Sequence, residues 1–170
     1  LNTIVSFCRN DPEQSRELLM RLSQFFRKTL TQSSKIVTLE QELEHTQDYI
    51  TIEKARYGDK LTVEINIPDE LLNYKVPSFT LQPLVENAIK HGLAPQAQAG
   101  KVAIKARNEE NNLKIEIVDN GVGIPEDKLQ NILDVGTGTD VGIGLSNVDQ
   151  RLQKIYGNEY GVEVQSNLNK

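Results

Sequence analysis

A change of period at Gly58 constrains this chain more than any other feature. Leu39, Leu43, Thr46, Ile50 and Tyr57 recur at helical intervals, whereas Leu61, Val63, Ile65 and Ile67 alternate with Thr62, Glu64 and Asn66. The first spacing lays one apolar stripe along a helix and the second makes one apolar face of a strand. No single element satisfies both. Ahead of residue 58 every apolar period is helical; after it strands and helices mix, the strands joined largely by hairpin-type links. The spacing predicts a helical arm over 1–58 and an α+β sandwich over 59–170. A chain of 170 residues is long enough for one domain with a core and a small appendage.

Within the arm, residues 11–30 read as a helix. Asp11 can cap it, Pro12 suits its first turn, and Gln14 stands at capping-box spacing. Leu18, Leu22, Phe25, Phe26 and Leu30 follow at helical intervals. "TQSSK" breaks the pattern, Thr38 and Gln41 form a second capping box, and Gly58 stops the second helix. A short polar link suggests an antiparallel pair.

Beyond Gly58, a strand runs to Pro68, and a helix from about Ser78 to Gly92 presents Leu81, Leu84, Val85, Ala88 and Ile89 on one face. Residues 94–100 are a loop, and Val102, Ile104 and Ala106 mark a second strand. "NEENN" is a hairpin link into a third strand, in which Leu113, Ile115 and Ile117 alternate up to Asp119. A short helix fits 126–133, and the glycine- and aspartate-rich stretch 134–144 reads as irregular. A last helix covers 145–156, with Leu145, Val148, Leu152 and Ile155 inward, and Val162 and Val164 begin a last strand.

Lys and Arg number 19 against 24 Asp and Glu, a formal net charge of -5, which argues against nucleic acid as a partner. The single cysteine, Cys8, excludes an internal disulfide. No apolar run approaches the roughly 20 residues that span a bilayer. The chain opens on Leu1 and reads as a fragment, with a membrane segment expected upstream.

Three segments are polar or glycine-rich where plain packing is expected: "ENAIKHG" (86–92), "DNGVGIP" (119–125) and "GTGTDVGIGLSN" (136–147). Glu86 and Lys90, four apart, share a helix face with Asn87. An amide, a carboxylate and an ammonium group suit hydrated Mg²⁺ bound to phosphates. Asp119 at a strand end can accept from an exocyclic amine, and Gly121 and Gly123 let backbone approach a flat ligand. Gly142 and Gly144 precede the helix expected near Leu145, whose first N–H groups suit phosphate. The ligand that needs all three elements is ATP. No P-loop, dinucleotide fingerprint or protein-kinase motif set is present.

These boxes, in this order, resemble the GHKL ATPase family, and most closely its LytS-type sensor histidine kinases. "LQPLVENAIKHGL" (81–93) is similar to the N box of that group, "GIGLSNVDQRLQKIYG" (142–157) to its G2 end, and "LEQELEHTQDYITIEKARYGDKL" to the segment ahead of the ATP domain. The resemblance implies a Bergerat-type two-layer α/β sandwich with a mixed sheet. It implies Mg²⁺ at Asn87 with help from Glu86, phosphate at Lys90, ring stacking at His91 and adenine reading at Asp119. Gly121 and Gly123 would seat the base. Gly142, Gly144 and the start of the helix at Leu145 would cradle phosphate within a mobile lid. Two departures stand out: Pro83 occupies the position one turn before Asn87 where many members carry an acid or amide, and the lid is short.

It further implies a protein histidine kinase, the cytoplasmic part of a membrane protein. Such a kinase dimerises through upstream helices and passes phosphate to the aspartate of a response regulator. Residues 1–58 would be the remainder of the dimerisation and phosphoacceptor region. His45, followed by Thr46, has the wrong neighbour for an acceptor, and "LNTI" (1–4) resembles the stretch just after one, so the acceptor is expected upstream. The alternatives are a GHKL serine kinase that restrains a sigma factor and an ATP-binding interaction module without transfer.

Overall fold

The computed structural model describes residues 2–31, 35–93, 99–134 and 140–168, with the backbone alone for 31 and 140–142. The arm opens with α1 (Asn2–Asn10) and α2 (Pro12–Thr31). Asp11 separates them and accepts the Gln14 N–H at 2.9 Å, as the capping pattern predicts. The sequence reading lacked α1, whose nine residues are too few turns to display a period. After β1 (Ile36–Thr38), α3 (Leu39–Tyr57) starts on a complete capping box. Thr38 Oγ1 accepts the Gln41 N–H at 3.2 Å, and Gln41 Oε1 accepts the Thr38 N–H at 3.0 Å. Gly58, at φ +59°, ends it. The buried Asp48 of α3 takes ion pairs from Arg21 and Lys28 of α2, at 3.3 and 3.1 Å.

The main sheet has the order β2 (Leu61–Asn66), β4 (Gly100–Glu109), β5 (Asn112–Asp119). β2 lies parallel to β4 and β5 antiparallel, so the sheet is mixed. The β4–β5 hairpin turns through Glu110 and Asn111, at φ +52° and +67°. Positive φ at both central residues is what a type I′ turn demands. A separate pair joins β1 to β3 (Lys75–Pro77), antiparallel, with Val37 opposite Val76. Three residues show no alternation, which is why neither strand was read from sequence.

Above the sheet lie α3 and α4 (Leu81–Asn87). The latter runs on without a break as a π-helical segment, Ala88–Leu93. Tyr49 and Ile50 of α3, Val85, Ala88, Ile89 and Leu93 share one core cluster with Leu61, Val102 and Ile104 of the sheet. Leu39, Leu71, Leu81 and Ala106 form a second. The opposite sheet face carries ion pairs, Lys101 with Glu64 at 2.7 Å and Arg107 with Glu116 at 2.9 Å. Among the described residues α3 and α4 pack on the one face and the ion pairs lie on the other, which makes two layers.

After α5 (Glu126–Leu129), α6 (Asp140–Tyr156) packs on α4. It begins at Asp140 rather than near Leu145, so Gly142 and Gly144 sit in its first turns instead of ahead of it. Helical glycine costs about 1 kcal/mol relative to alanine; the close packing of Gly144, described below, accounts for it there. The stretch 161–167 forms no strand. Side chains hold it instead: Asp149 Oδ1 accepts the Val162 N–H and Ser166 Oγ accepts the Ile124 N–H, each at 2.8 Å. Among the described residues no helix is long and apolar enough to cross a membrane.

Candidate functional site

Period two carries Leu113, Ile115 and Ile117 toward the helix layer, and Asp119 is the next inward position at the end of β5. It emerges beside the π-helical segment. The Gly121 N–H donates to Asp119 Oδ1 at 2.8 Å, and the Val122 N–H donates to the Gly92 carbonyl at 3.0 Å. A Cβ on Gly92 would stand 2.6 Å from Asp119 Oδ1, and one on Gly121 would collide with the Gly92 backbone. Asn120 ties the strand end to β4: its Oδ1 accepts the Lys101 N–H at 2.7 Å. Asp119 is thus held through one oxygen, with two glycines close against it. Its Oδ2 accepts no hydrogen bond among the described residues.

Gly123 does a different job from Gly121. It has φ +76°, and a Cβ there would collide with the Asn167 carbonyl. It makes room for the C-terminal segment.

Asn87 closes α4. It is half-buried, and its buried Nδ2 has no hydrogen-bond partner among the described residues. A Cβ on Gly144 of α6 would lie 3.3 Å from that nitrogen and 3.7 Å from Pro83 Cβ. Glu86 and Lys90 form an ion pair one helical turn apart, both partly exposed. Glu53 of α3 lies in their field. Burial pushes its carboxyl up; Arg56 at 3.6 Å and Lys90 oppose the shift, and Glu86 reinforces it. Burial likewise raises the Tyr49 hydroxyl, which has no hydrogen-bond partner among the described residues.

The residues picked from sequence therefore fall into two groups. Asp119 and Gly121 form one with Gly92; Asn87, Glu86, Lys90 and Gly144 form the other. His91, half-buried, lies between them on the π-helical segment that joins Asn87 to Gly92. Leu145 is buried in the core, and Gly142 lies in the first turn of α6. Gly136 and Gly138 lie outside the described residues. His45 is enclosed: its Nε2 meets Gln82 Oε1 at 2.8 Å, its ring stacks on Phe25 at 5.0 Å, and Phe79 meets it edge-on at 5.6 Å. Burial pulls its imidazole below the ordinary value, against the Gln82 bond and Glu42.

Sequence reading missed the group that starts α4. Phe79, in the turn Ser78–Thr80, has φ +59°, unusual for a bulky residue. The buried Glu42 of α3 accepts three N–H groups: Phe79 on Oε1 at 2.6 Å, Thr80 and Leu81 on Oε2 at 2.8 and 3.0 Å. Arg151 of α6 donates from the other side to the Ser78 and Phe79 carbonyls. The available signal was Glu42 itself, a carboxylate standing between Leu39 and Thr46 on the buried stripe of α3. Gly92 was read only as a helix end.

Residues 1–61 match the family model described as histidine kinase, and residues 78–169 match that described as histidine kinase-, DNA gyrase B-, and HSP90-like ATPase. Sensor histidine kinase BtsS of Escherichia coli (strain K12) is 45% identical over 165 residues, covering 96% of this chain and 28% of that protein. Sensor protein LytS of Bacillus cereus is 36% identical over 173 residues, covering 100% and 29%. LytS of Bacillus subtilis (strain 168) is 34% identical over 177 residues, again 100% and 29%. The chain spans under a third of the length of these curated relatives. Among solved structures, the catalytic domain of histidine kinase ThkA superposes with a TM-score of 0.50 at 18% identity, covering 73% of this chain and 79% of that one. The mycobacterial sensor histidine kinase MprB gives 0.50 at 17%, covering 70% and 78%. These two speak for the fold. With its ATPase match extending over more than half of the residues, the chain belongs to the histidine kinase-, DNA gyrase B-, and HSP90-like ATPase family, with a histidine kinase segment ahead of the ATPase domain.

Proposed function

We propose that this chain is the ATP-binding catalytic region of a two-component sensor histidine kinase. It binds ATP with Mg²⁺ and supplies the γ-phosphoryl group to a histidine. The observation that carries this reading is Asp119: a carboxylate fixed through one oxygen, its second oxygen accepting no hydrogen bond among the described residues, walled by Gly92 and Gly121. That is a receptor for an exocyclic amine on a flat base. At the other end, the Asn87 amide and the Glu86 carboxylate supply the oxygen ligands that Mg²⁺ takes. Among the described residues no three His, Cys, Asp or Glu side chains cluster for a metal, so nucleotide phosphates and water would complete its shell. Lys90 supplies charge for phosphate. Mg²⁺ when bound neutralises charge on the phosphates; the protein's share is to position and to hold charge.

The acceptor histidine lies outside this chain. His45 is 2% exposed and packed between three side chains, which excludes it from reaching a phosphate without unfolding its surroundings. Residues 1–58 serve as the remainder of the dimerisation and phosphoacceptor region and 59–170 as the ATP-binding region, α3 being packed into the core of the latter. The whole protein is a membrane-anchored homodimer, paired through its upstream helices, that hands phosphate to a response-regulator aspartate.

Titration calorimetry tests the reading. ATP and ADP should bind, more tightly with Mg²⁺, and GTP should bind at least about tenfold more weakly, as loss of one good hydrogen bond to a charged group requires. Equal binding of ATP and GTP removes Asp119 from its role; absence of nucleotide binding removes the reading.

A further inference from the structure

We propose that Glu42 and Arg151 are positioning residues for Asn87, acting together on the Ser78–Thr80 turn as a clamp between three elements. The inference rests on the nucleotide reading above and names what sets that site's metal-holding end.

Three observations carry it. Glu42 is 1% exposed, and both its oxygens are spent on Phe79, Thr80 and Leu81 N–H groups, at 2.6 to 3.0 Å. Two of those residues lead directly into α4, where the first N–H groups have no intrahelical acceptor. A carboxylate there also favours the positive end of the helix. Glu42 is therefore the cap of α4, delivered from another helix; Thr80, the residue at the cap position, makes no side-chain cap bond.

Arg151 takes the same turn by its carbonyls, at Ser78 and Phe79. Seven residues earlier on α6, Gly144 lies against Asn87 and Pro83. Residues seven apart share a helix face. One face of α6 thus holds α4 at both ends, Gly144 at its last residue and Arg151 just before its first.

Between the two charges Phe79 keeps a left-handed backbone that side chains disfavour. Such residues persist where the surroundings over-determine them. Carboxylate on the N–H side and guanidinium on the carbonyl side do so here. Release of either group frees the turn to relax, and α4 then shifts as a body, carrying Asn87 with it. A shift of α3 or α6 reaches the metal-holding end by the same route. Asp119 hangs from β5, and Gly92 beside it is tied separately, its carbonyl accepting the Val122 N–H at 3.0 Å, so that end is anchored apart from the turn.

Calorimetry on the full 170-residue chain reads this directly, with Mg·ATP and with ADP in excess chelator. Glu42→Gln keeps the shape but turns an amide N–H toward backbone donors; Arg151→Gln removes the guanidinium from a partly exposed site. Each should lower Mg·ATP affinity about tenfold or more, since misplacement by around 1 Å is that costly. Metal-free ADP binding should stay within about twofold, and Arg151→Lys should recover part of the loss. Cooperative urea unfolding serves as the folding control. If Glu42→Gln does not fold, the Arg151 pair decides alone. A folded Arg151→Gln with unchanged Mg·ATP affinity overturns the clamp, and so does an equal loss of metal-free and metal-dependent binding. Failure of the nucleotide reading shows instead in the unmodified chain, as ATP binding that is absent or indifferent to Mg²⁺, and overturns both.

Discussion

Gly144 of α6 stands against Asn87 of α4 with space for a hydrogen but not for a settled methyl group: a Cβ at 144 would lie 3.3 Å from Asn87 Nδ2. The glycine-rich segment and the asparagine box, 57 positions apart in the chain, meet at that contact.

Gly144→Ala sets two effects against each other. Alanine improves helix propensity by up to about 1 kcal/mol, while its methyl must push Asn87 by a few tenths of an ångström. The expected outcome is a change in stability below about 1 kcal/mol in urea titration. Mg·ATP affinity should fall about tenfold by calorimetry, because the displaced group is the amide at the metal-holding end.

Gly121 tolerates less. A Cβ there collides with backbone, the Gly92 Cα and carbonyl, which no rotamer change relieves. Gly121→Ala should cost about 1–3 kcal/mol by urea titration, the range of overpacking. Asp119→Asn should leave stability nearly unchanged and weaken ATP and metal-free ADP alike, by about ten- to hundredfold. A loss confined to Mg·ATP would place Asp119 at the wrong end of the site.

His45 makes stability depend on pH with a defined sign. Burial is the main cause holding the folded-state imidazole below its ordinary value, which is near 6.5. The unfolded chain therefore takes the proton first, and stability falls as pH drops through about 6.5 toward the lowered folded value. His45→Gln deletes this dependence. Unfolding free energies at about pH 5.5 and about pH 7.5 should differ less in the variant than in the unmodified chain. Glu53, shifted upward by burial, is common to both chains and cancels in the comparison.

The β4–β5 turn can be improved. Glu110 holds φ +52° with a Cβ that disfavours it. Glu110→Gly should stabilise the chain by about 0.5–1 kcal/mol, the strain removed exceeding the added unfolded-state entropy. Thermal unfolding would show a rise of a few degrees, with nucleotide affinity unaltered. A fall in Tm would mean the Glu110 side chain does more in this turn than its exposure suggests.

Much of this was legible because the signals are local. The cap at Asp11, the capping box at Thr38, the stop at Gly58 and the alternation of β5 up to Asp119 each follow from a few neighbouring residues, and the structure places them there. The start of α6 was misjudged because glycine-rich segments read as irregular, and only the contact with Asn87 and Pro83 explains a helical Gly144. β1 and β3 were missed for shortness. The separate duties of Gly121 and Gly123 could not be told from spacing, since one answers to Gly92 and the other to Asn167. Glu42 and Arg151 escaped for the same reason: their partners are backbone atoms of a turn far away in the chain.

The position of α3 bears on how chains of this kind can be recombined. Tyr49 and Ile50 fill one cluster with Leu61, Val85 and Ile104, and Leu39 fills the other with Leu81 and Ala106, so the helix is walled into the layer above the sheet. A graft joined at Gly58, where the period changes, would bring a foreign helix against that layer and leave its apolar face mismatched. A graft joined at about residue 35, ahead of β1, would carry α3 along intact. For the exchange of input modules between relatives, the workable seam lies some twenty residues before the boundary that the hydrophobic pattern suggests.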